Sequence, residues 1–564
     1  MATLESSVDT RPSPVPMVSK TSLPNVAYFC MELAIDQSLH IYSGGLGFLA
    51  GSYLRSAGRL DMPMVAVSIL WSLGYGDQQI GGDGNVEIVY NKRDYDFLKD
   101  IGVTVEVPIF GRSVKARVLL LGPAVFGTVP VYFLTTDIPE NSEEDRYLTA
   151  KLYDGDERIR ISQEILLGVG GIRALKAVGY PMDILHMNEG HALPAVFELL
   201  SEPGANFESV RDKTVFTTHT PVAAGNETHD AHLLNEAGFF GKVSLDEAIG
   251  LGGGQNFSLT VAALRMSRRA NGVSQLHGVV ANNMWQWVDG RCPIVAITNA
   301  VSLEYWQDNR FRPLDLRNDD ALHGLKRQMK QELLDYVAQT TGKQFDPDVL
   351  TVVWARRFTE YKRPNLIFRD MDRIKRLLEG HNAEGRKLQL IFSGKFHPND
   401  TTGRDMFNQI LHIARENQNV VVLTGPGYEL DLSARLKKGA DVWLNTPTRP
   451  LEASGTSGMS ANLNATVHCS IYDGWAVEGT YSGVNGYLIN HNGCEGHQQP
   501  DVRQHEDYES MMSILENEIV PTYYGNKPRW AELMRQSIHT AASYFNSDRM
   551  IIEYYVRLYQ SVSV

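Results

Sequence analysis

The sequence predicts an α/β protein built on two open, mostly parallel sheets. Three observations carry that prediction. Short apolar runs alternate with amphipathic stretches through most of the chain, the pattern of strand–helix units that lie parallel. The alternation starts afresh in the second half. At 564 residues the chain is also too long for one simple core, and two domains of roughly 200–300 residues each are the natural division.

The elements follow in order. Residues 1–22 are polar and proline-bearing, with no apolar core of signal-peptide length, and read as a flexible tail. Pro24–Cys30 (PNVAYFC), Met64–Ile69, Val131–Leu134, Ile184–Met187 and Thr214–Thr217 read as buried strands. Ser43–Leu60 and Arg158–Val178 read as helices, the second with apolar residues spaced along one face. Pro293–Trp306 closes this set and the charged helical stretch Asp319–Gln339 follows, which puts a boundary near residue 300. Leu350–Trp354, Leu388–Ser393, Val420–Thr424 and Asp441–Asn445 are the strands of the second set. Arg369–Glu379, Met406–Glu416 and Asp431–Lys438 are the helices between them. The expected domains are therefore 23–300 and 301–547, with a C-terminal helical segment over 548–564.

Composition narrows the function. Net charge is −13, which argues against a general nucleic-acid or anionic-membrane binder but leaves room for a local basic pocket. No run of about 18 apolar residues occurs, so no membrane span is expected. The four cysteines, Cys30, Cys292, Cys469 and Cys494, form no CxxC pair and no metal spacing. Reduced thiols in a cytoplasmic protein are the expectation.

In open α/β sheets ligands bind outside the carboxyl ends of strands, so motifs at those ends matter most. Ser43-Gly44-Gly45-Leu46-Gly47 opens a helix; it is either a backbone cradle for an anion or a tight turn packed under the helix. Asn188-Glu189-Gly190-His191 follows a strand, where Asn188 either faces a ligand or caps the next helix. His219, in Thr217-Thr218-His219-Thr220-Pro221, is either a sugar contact or structural. No Ser/His/Asp arrangement or HExxH run accompanies it, so neither a nucleophilic triad nor a metal is expected. Arg356-Arg357-Phe358-Thr359-Glu360-Tyr361-Lys362-Arg363 places four cations right after a strand, in an otherwise acidic protein. Arginine forks and a mobile lysine suit phosphate oxygens, against the alternative of a solvated basic face. Glu452-Ala453-Ser454-Gly455-Thr456-Ser457-Gly458-Met459-Ser460 is a small-residue loop opening a helix, able to cradle an anion or hydroxyls, or simply a capped helix.

Taken together these stretches resemble the α-glucan (glycogen/starch) phosphorylase family, in its shorter bacterial and archaeal form. The resemblance runs from about residue 25 to residue 480, through IYSGGLGFLAGSYLRSA (41–57), LHMNEGHALPAVFELL (185–200), FTTHTPVAAG (216–225), LRMSRRANGVSQLHG (264–278), VWARRFTEYKRP (353–364), FSGKFHPND (392–400), DVWLNTPTRPLEASGTSGM (441–459) and DGWAVEG (473–479). It implies the two-domain glycosyltransferase fold called GT-B, with Rossmann-like domains facing a central cleft, the first on the acceptor side, the second on the donor and phosphate side, and the last helix returning to the first. It also implies retaining transfer of α-glucosyl units. By position, His219 matches the histidine on the transferred glucose, and Arg357 and Lys362 match the cations on the substrate phosphate. Glu452, Ser454 and Gly455 match the glucose-binding loop, with Asn299, Asn188 and His191 as further sugar contacts. Gly44, Gly45, Arg356, Thr456 and Trp306 fall on the phosphate, nucleotide or cofactor side.

The departures concentrate around one pocket. The family carries a lysine at position 460, whose amine holds pyridoxal phosphate (PLP) as a Schiff base. Here Ser460 stands in its place, and a hydroxyl cannot form an imine. Trp71 replaces a tyrosine that borders the cofactor ring, and the following RQGYFRQ pattern reads Ser72–Gln78 (SLGYGDQ). The family's NGVH reads Asn299-Ala300-Val301-Ser302, and Ala465 replaces a glycine. Because the cofactor's phosphate works beside the substrate phosphate in this family, a nucleotide sugar could bring that second phosphate itself. The leading expectation is a PLP-independent retaining hexosyltransferase of carbohydrate metabolism using such a donor, with a carbohydrate or small-molecule acceptor. The alternatives are an α-1,4-glucan phosphorylase with PLP held non-covalently, and a catalytically silent glucan-binding homologue. A homodimer is an expectation of the resemblance alone.

Overall fold

Near-continuous apolar runs, rather than alternation, make the central strands. Val26–Phe29 and Met64–Ile69 are buried along their whole length, as strands covered on both faces must be. The computed structural model describes residues 23–222, 225–381, 385–424, 429–491 and 499–560; the expected tail 1–22 and Cys494 lie outside them. Among the described residues the chain gathers into two compact units. One takes the chain up to Gly76, Tyr90–Asn299 and the stretch from Ser547; the other takes Asp77–Val89 and Ala300–Asn546.

The first unit holds a nine-stranded sheet in the order Ile294–Ala296, Arg269–Gly272, Thr214–Thr217, Ile184–Asn188, Val26–Phe29, Met64–Ile69, Val131–Thr135, Arg112–Leu121, Lys99–Ile109. Seven strands are parallel, and the last two form an antiparallel hairpin at the edge. The sequence analysis does not mark this hairpin. In its outer strand, buried Val105, Val107 and Ile109 alternate with exposed Thr104, Glu106 and Pro108, so the continuous apolar signal is missing. The expected helix Arg158–Val178 comes as Glu157–Ile165 and Gly171–Ala177 joined by a π-helical turn at Leu166–Gly170. The C-terminal helix Ser547–Tyr554 packs on Gly45–Arg59 through a 2.6 Å contact between the Ser56 and Ser547 hydroxyls and an Arg59–Asp548 ion pair.

The second unit is built on six parallel strands in the order Val420–Leu423, Leu388–Ser393, Leu350–Ala355, Val442–Asn445, Val467–Ile471, Gly486–Ile489. Leu350, Val352, Leu388, Leu390, Val442 and Val467 lie in one apolar core, each contributing about 1.5–3 kcal/mol by leaving water. A small ribbon from earlier in the chain, Asp77–Ile80 paired with Val86–Val89, belongs to this unit. The Gln78 amide exchanges two hydrogen bonds with the Phe396 backbone (2.8 and 3.2 Å), and Val86 N donates to Asn408 Oδ1 at 3.2 Å. Position in sequence had kept this ribbon in the domain 23–300. Its side-chain partners lie more than 300 residues away, beyond the reach of local periodicity.

Ala465 has φ +58, the left-handed region that costs a residue with a Cβ about 1–2 kcal/mol. No described helix is long and apolar enough to cross a membrane.

Candidate functional site

In the second unit the site starts where Leu350–Ala355 ends. Arg356 N donates to Ser393 O and Phe358 N to Lys395 O, extending the sheet edge past the strand. This close pairing needs Gly394: its φ is +149, and a Cβ there would lie 1.8 Å from Arg356 O. The chain then turns through Glu360–Lys362 and locks onto the segment after Val442–Asn445. Arg363 donates Nε to Thr446 O (2.9 Å) and Nη2 to Pro447 O (2.7 Å), the Thr446 hydroxyl donates to Lys362 O (3.0 Å), and Thr448 N donates to Tyr361 O (2.6 Å).

This lock brings the charged side chains together. Arg356 Nη2 lies 2.5 Å from Glu452 Oε2, and Lys362 Nζ lies 4.0 Å from the same oxygen. The Arg356 contact is an ion pair between two buried side chains. Burial works against the Glu452 charge, but Arg356 and then Lys362 outweigh it and hold the carboxyl below its ordinary value. Burial, then the Arg356 charge, push the Lys362 amine down to about 7, against the pull of Glu452. Exposed Arg357 adds to both effects.

Arg356 Nη1, Ser454 Oγ and Asn445 Oδ1 are buried with no hydrogen-bond partner. Each costs about 1–3 kcal/mol in that state, and together they offer donors and acceptors to a ligand. Gly455, at φ +83, folds the loop back against the Glu452 side chain. Thr456 and Ser460 belong to the short helix Ser457–Asn462 and its cap. The Ser460 hydroxyl donates to Thr456 O (3.2 Å) and Ser457 O (3.0 Å) and is 1% exposed. It offers no amine and turns into its own helix, so these residues do not fit a covalently anchored pyridoxal group. Trp306 lies with the Lys437 ammonium 3.6 Å above its ring, and Asn464 Nδ2 donates both to Trp306 O and to Ser460 O.

The first unit holds a cluster of another kind. Ile184–Asn188 ends at Asn188, and Glu189 follows with φ +66 and ψ 175, a backbone region that costs non-glycine residues about 1–3 kcal/mol. That turn aims the Glu189 carboxyl at His219 N (2.5 Å) and Thr220 Oγ1 (3.2 Å). His219 Nε2 donates to Asn188 Oδ1 at 2.8 Å. Burial lowers His219 and His191 to about 3 and His277 to about 4, and raises Glu189 to about 7. All three histidines are therefore neutral at ordinary pH. His191 Nδ1, His277 Nε2 and Asn299 Oδ1 are buried without hydrogen-bond partners. Asn299 N donates to Val273 O, and Val273 N to His277 Nδ1, which ties Asn299 to this cluster.

At the glycine loop an anion is already present. The Glu32 carboxylate accepts from Ser43 N (2.6 Å), Gly44 N (3.2 Å), the Ser43 hydroxyl and the Tyr153 hydroxyl. These are donors that the sequence analysis would give to a ligand phosphate at Gly44. A Cβ at Gly44 or Gly45 would meet nothing within 4 Å, so space beside the loop remains open. Trp71 is fully buried and donates Nε1 to Met31 O.

Among the described residues one group has the composition of a metal site: oxygen and nitrogen atoms of Glu164, Glu227 and His229 lie within 4.8 Å of one another. Arg160 Nε sits 2.9 Å from Glu227 and 3.8 Å from Glu164, so a guanidinium already supplies positive charge there. Glu189, Glu32, His277 and Asp473, which underlies the Glu452 loop, were missed as individual residues by sequence reasoning. A carboxylate at the end of a buried strand, as in Asn188-Glu189 and Asp473-Gly474, is the signal that could have found two of them.

Comparison with known proteins adds an independent line. A family model described as Phosphorylase: Carbohydrate phosphorylase matches residues 312–485. An uncharacterized protein of Methanocaldococcus jannaschii is 45% identical over 537 residues, covering 95% of this chain and 99% of that one. A maltodextrin phosphorylase of Thermococcus litoralis is 36% identical over 596 residues, covering 95% of this chain and 70% of its own. A glycogen phosphorylase of Mycobacterium tuberculosis is 34% identical over 627 residues, with 96% and 71% covered.

Proposed function

This chain belongs to the carbohydrate phosphorylase family, and from that premise we propose that it is a retaining α-glycosyltransferase that moves a hexosyl unit, glucosyl by resemblance, from a nucleotide sugar without covalently held PLP. The observation that carries the reading is the meeting of Arg356, Lys362 and Glu452 around one carboxylate oxygen, in a chain whose position 460 has no amine. A carboxylate kept ionised among cations, with the unpartnered Ser454 hydroxyl two residues on in sequence, suits sugar hydroxyls. Arg357 and Lys362 suit the phosphate oxygens on which negative charge grows as the bond to the sugar breaks.

In this reading the departing diphosphate is stabilised by Arg357 and Lys362 and takes up the acceptor's proton on the face it leaves. The acceptor oxygen attacks on that same face, which retains configuration. No protein nucleophile is required. In the second unit Glu452, Ser454 and the Gly455 turn hold the hexose; in the first unit His219, Asn188, His191 and Asn299, sugar contacts by resemblance, offer neutral groups suited to hydroxyls. Neutral imidazoles serve this purpose well, since each can donate at one nitrogen and accept at the other.

Titration calorimetry of purified protein against ADP, UDP, GDP and dTDP, with PLP and glucose 1-phosphate alongside, tests the reading. Specific uptake of one nucleoside diphosphate is the expected result and names the donor base. Uptake of PLP or glucose 1-phosphate alone would replace it with the second reading, phosphorolysis of an α-1,4-glucan with PLP held non-covalently. That second reading is favoured by the likeness to proteins named as phosphorylases over at least 95% of this chain. Binding of a glucan with none of these ligands would indicate a silent glucan-binding homologue.

A further inference from the structure

We propose that Asp473 is a positioning residue that sets Glu452 and Ser454 for the donor hexose, an inference that rests on the function proposed above. Asp473 follows the strand Val467–Ile471 and is 2% exposed. Its Oδ2 accepts from Glu452 N and its Oδ1 from Gly474 N, each at 2.9 Å. The carboxyl thus grips the backbone of the residue whose side chain lies among Arg356 and Lys362, from the side opposite those cations in the chain.

The two residues after Asp473 complete the grip. Gly474 has φ +55, and a Cβ on it would lie 2.5 Å from Ser454 O and 3.1 Å from Glu452 O. Only a glycine lets the two segments approach this closely. Trp475 N then donates to Ser454 O at 3.0 Å. Trp475 is itself fixed, stacked on His468 with ring centroids 4.9 Å apart and edge-on to Phe545 at 4.9 Å. His468 accepts from Asn445 Nδ2 (2.8 Å) at one nitrogen and contacts the Thr480 hydroxyl (3.2 Å) at the other. A rigid aromatic stack therefore holds the Asp473–Trp475 turn, and the turn holds residues 452–454. Burial, and then the nearby Glu452 charge, raise the Asp473 carboxyl to about 8, so Glu452 remains the anion of the pair in neutral solution.

The phosphate side has separate supports. Arg356 is set by Ser393 and Gly394, and Lys362 by Thr446. Loosening the 473–475 turn should therefore affect the sugar and spare the phosphate, a split that a general loss of structure would not produce.

Calorimetry with two probes, D-glucose and inorganic pyrophosphate, reads this split. Asp473→Ala and, independently, Gly474→Ala are expected to weaken glucose binding about 10-fold, with pyrophosphate affinity within about 2-fold of native. Asp473→Asn keeps one acceptor oxygen and is expected to fall between native and Asp473→Ala. Native glucose affinity in folded Asp473→Ala protein would overturn the inference. So would parallel loss of both probes, which would make the turn a general support. Native protein that takes up neither probe would overturn the proposed function and this inference with it, so the two failures are told apart.

Discussion

The two clusters handle charge in opposite ways. Around Glu452 the charges are compensated, a carboxylate held ionised by Arg356 and Lys362, with the Lys362 amine itself drawn down to about 7. Around His219 burial has stripped charge away, leaving neutral histidines at 191, 219 and 277 beside a carboxyl raised to about 7. The difference follows from the partners that backbone geometry supplies. Gly394 and the Thr446 lock bring cations to Glu452, whereas the left-handed turn at Glu189 brings that carboxyl to a backbone N–H and a hydroxyl. Buried charge persists where an opposite charge is within reach and is otherwise lost, by proton uptake at a carboxylate and by proton release at a histidine.

The comparison breaks most sharply at the cations. Arg357→Ala or Lys362→Ala is expected to lower turnover about 10²–10³-fold, as read by steady-state kinetics with the donor that calorimetry identifies. Unchanged rates in both variants would remove the phosphate role altogether. pH sharpens the same contrast. Since Lys362 stands at about 7 without ligand, pyrophosphate affinity should decline as pH rises through 7–8, and binding there should take up a proton. Calorimetry in buffers of different ionisation enthalpy would show that uptake, and Lys362→Arg should abolish it.

One in each unit, the carboxyls of Glu189 and Asp473 are expected to make stability fall with pH. Their folded values, about 7 and about 8, lie above the ordinary carboxyl range, so the native state holds protons that the unfolded chain has already released. That stabilisation is complete below the unfolded values and is lost as pH rises through 7–8. Glu189→Gln should shrink the drop in Tm between pH 5 and 8; an unchanged drop would deny Glu189 its raised value. The smallest effect lies at Ala465. With φ +58, Ala465→Gly should add about 1 kcal/mol, measured by denaturant unfolding.

Much of the fold was legible because the central strands of both sheets are mostly apolar and buried at every position, as in Met64–Ile69 and Leu388–Ser393. The edge hairpin was not, since half of its outer residues face water. Gly486–Ile489 is too short to show a period. Within the site, motif spacing singled out Arg356, Lys362, Glu452 and His219. It could not reveal that Arg356 would be engaged with Glu452, because that pairing depends on hydrogen bonds between segments more than 80 residues apart. Nor could it show the Gly44 N–H in the grip of Glu32, which lies twelve residues earlier across a turn. Ser460 was the reverse case: chemistry read from one letter, with the structure adding only where its hydroxyl turns.

The interleaving of the two units has a consequence for how the protein is made. Among the described residues the chain passes from one unit to the other at Gly76–Asp77, Val89–Tyr90, Asn299–Ala300 and Asn546–Ser547. On the ribosome, the first nine-stranded sheet can emerge complete while the helix that packs against Gly45–Arg59 is still unsynthesised, and the Asp77–Val89 ribbon must wait for Phe396 and Asn408. A fragment ending near residue 300 would thus carry an orphan ribbon and an uncovered helix face, and should depend on chaperones or aggregate. Splitting this protein into halves that fold requires moving two segments rather than making one cut.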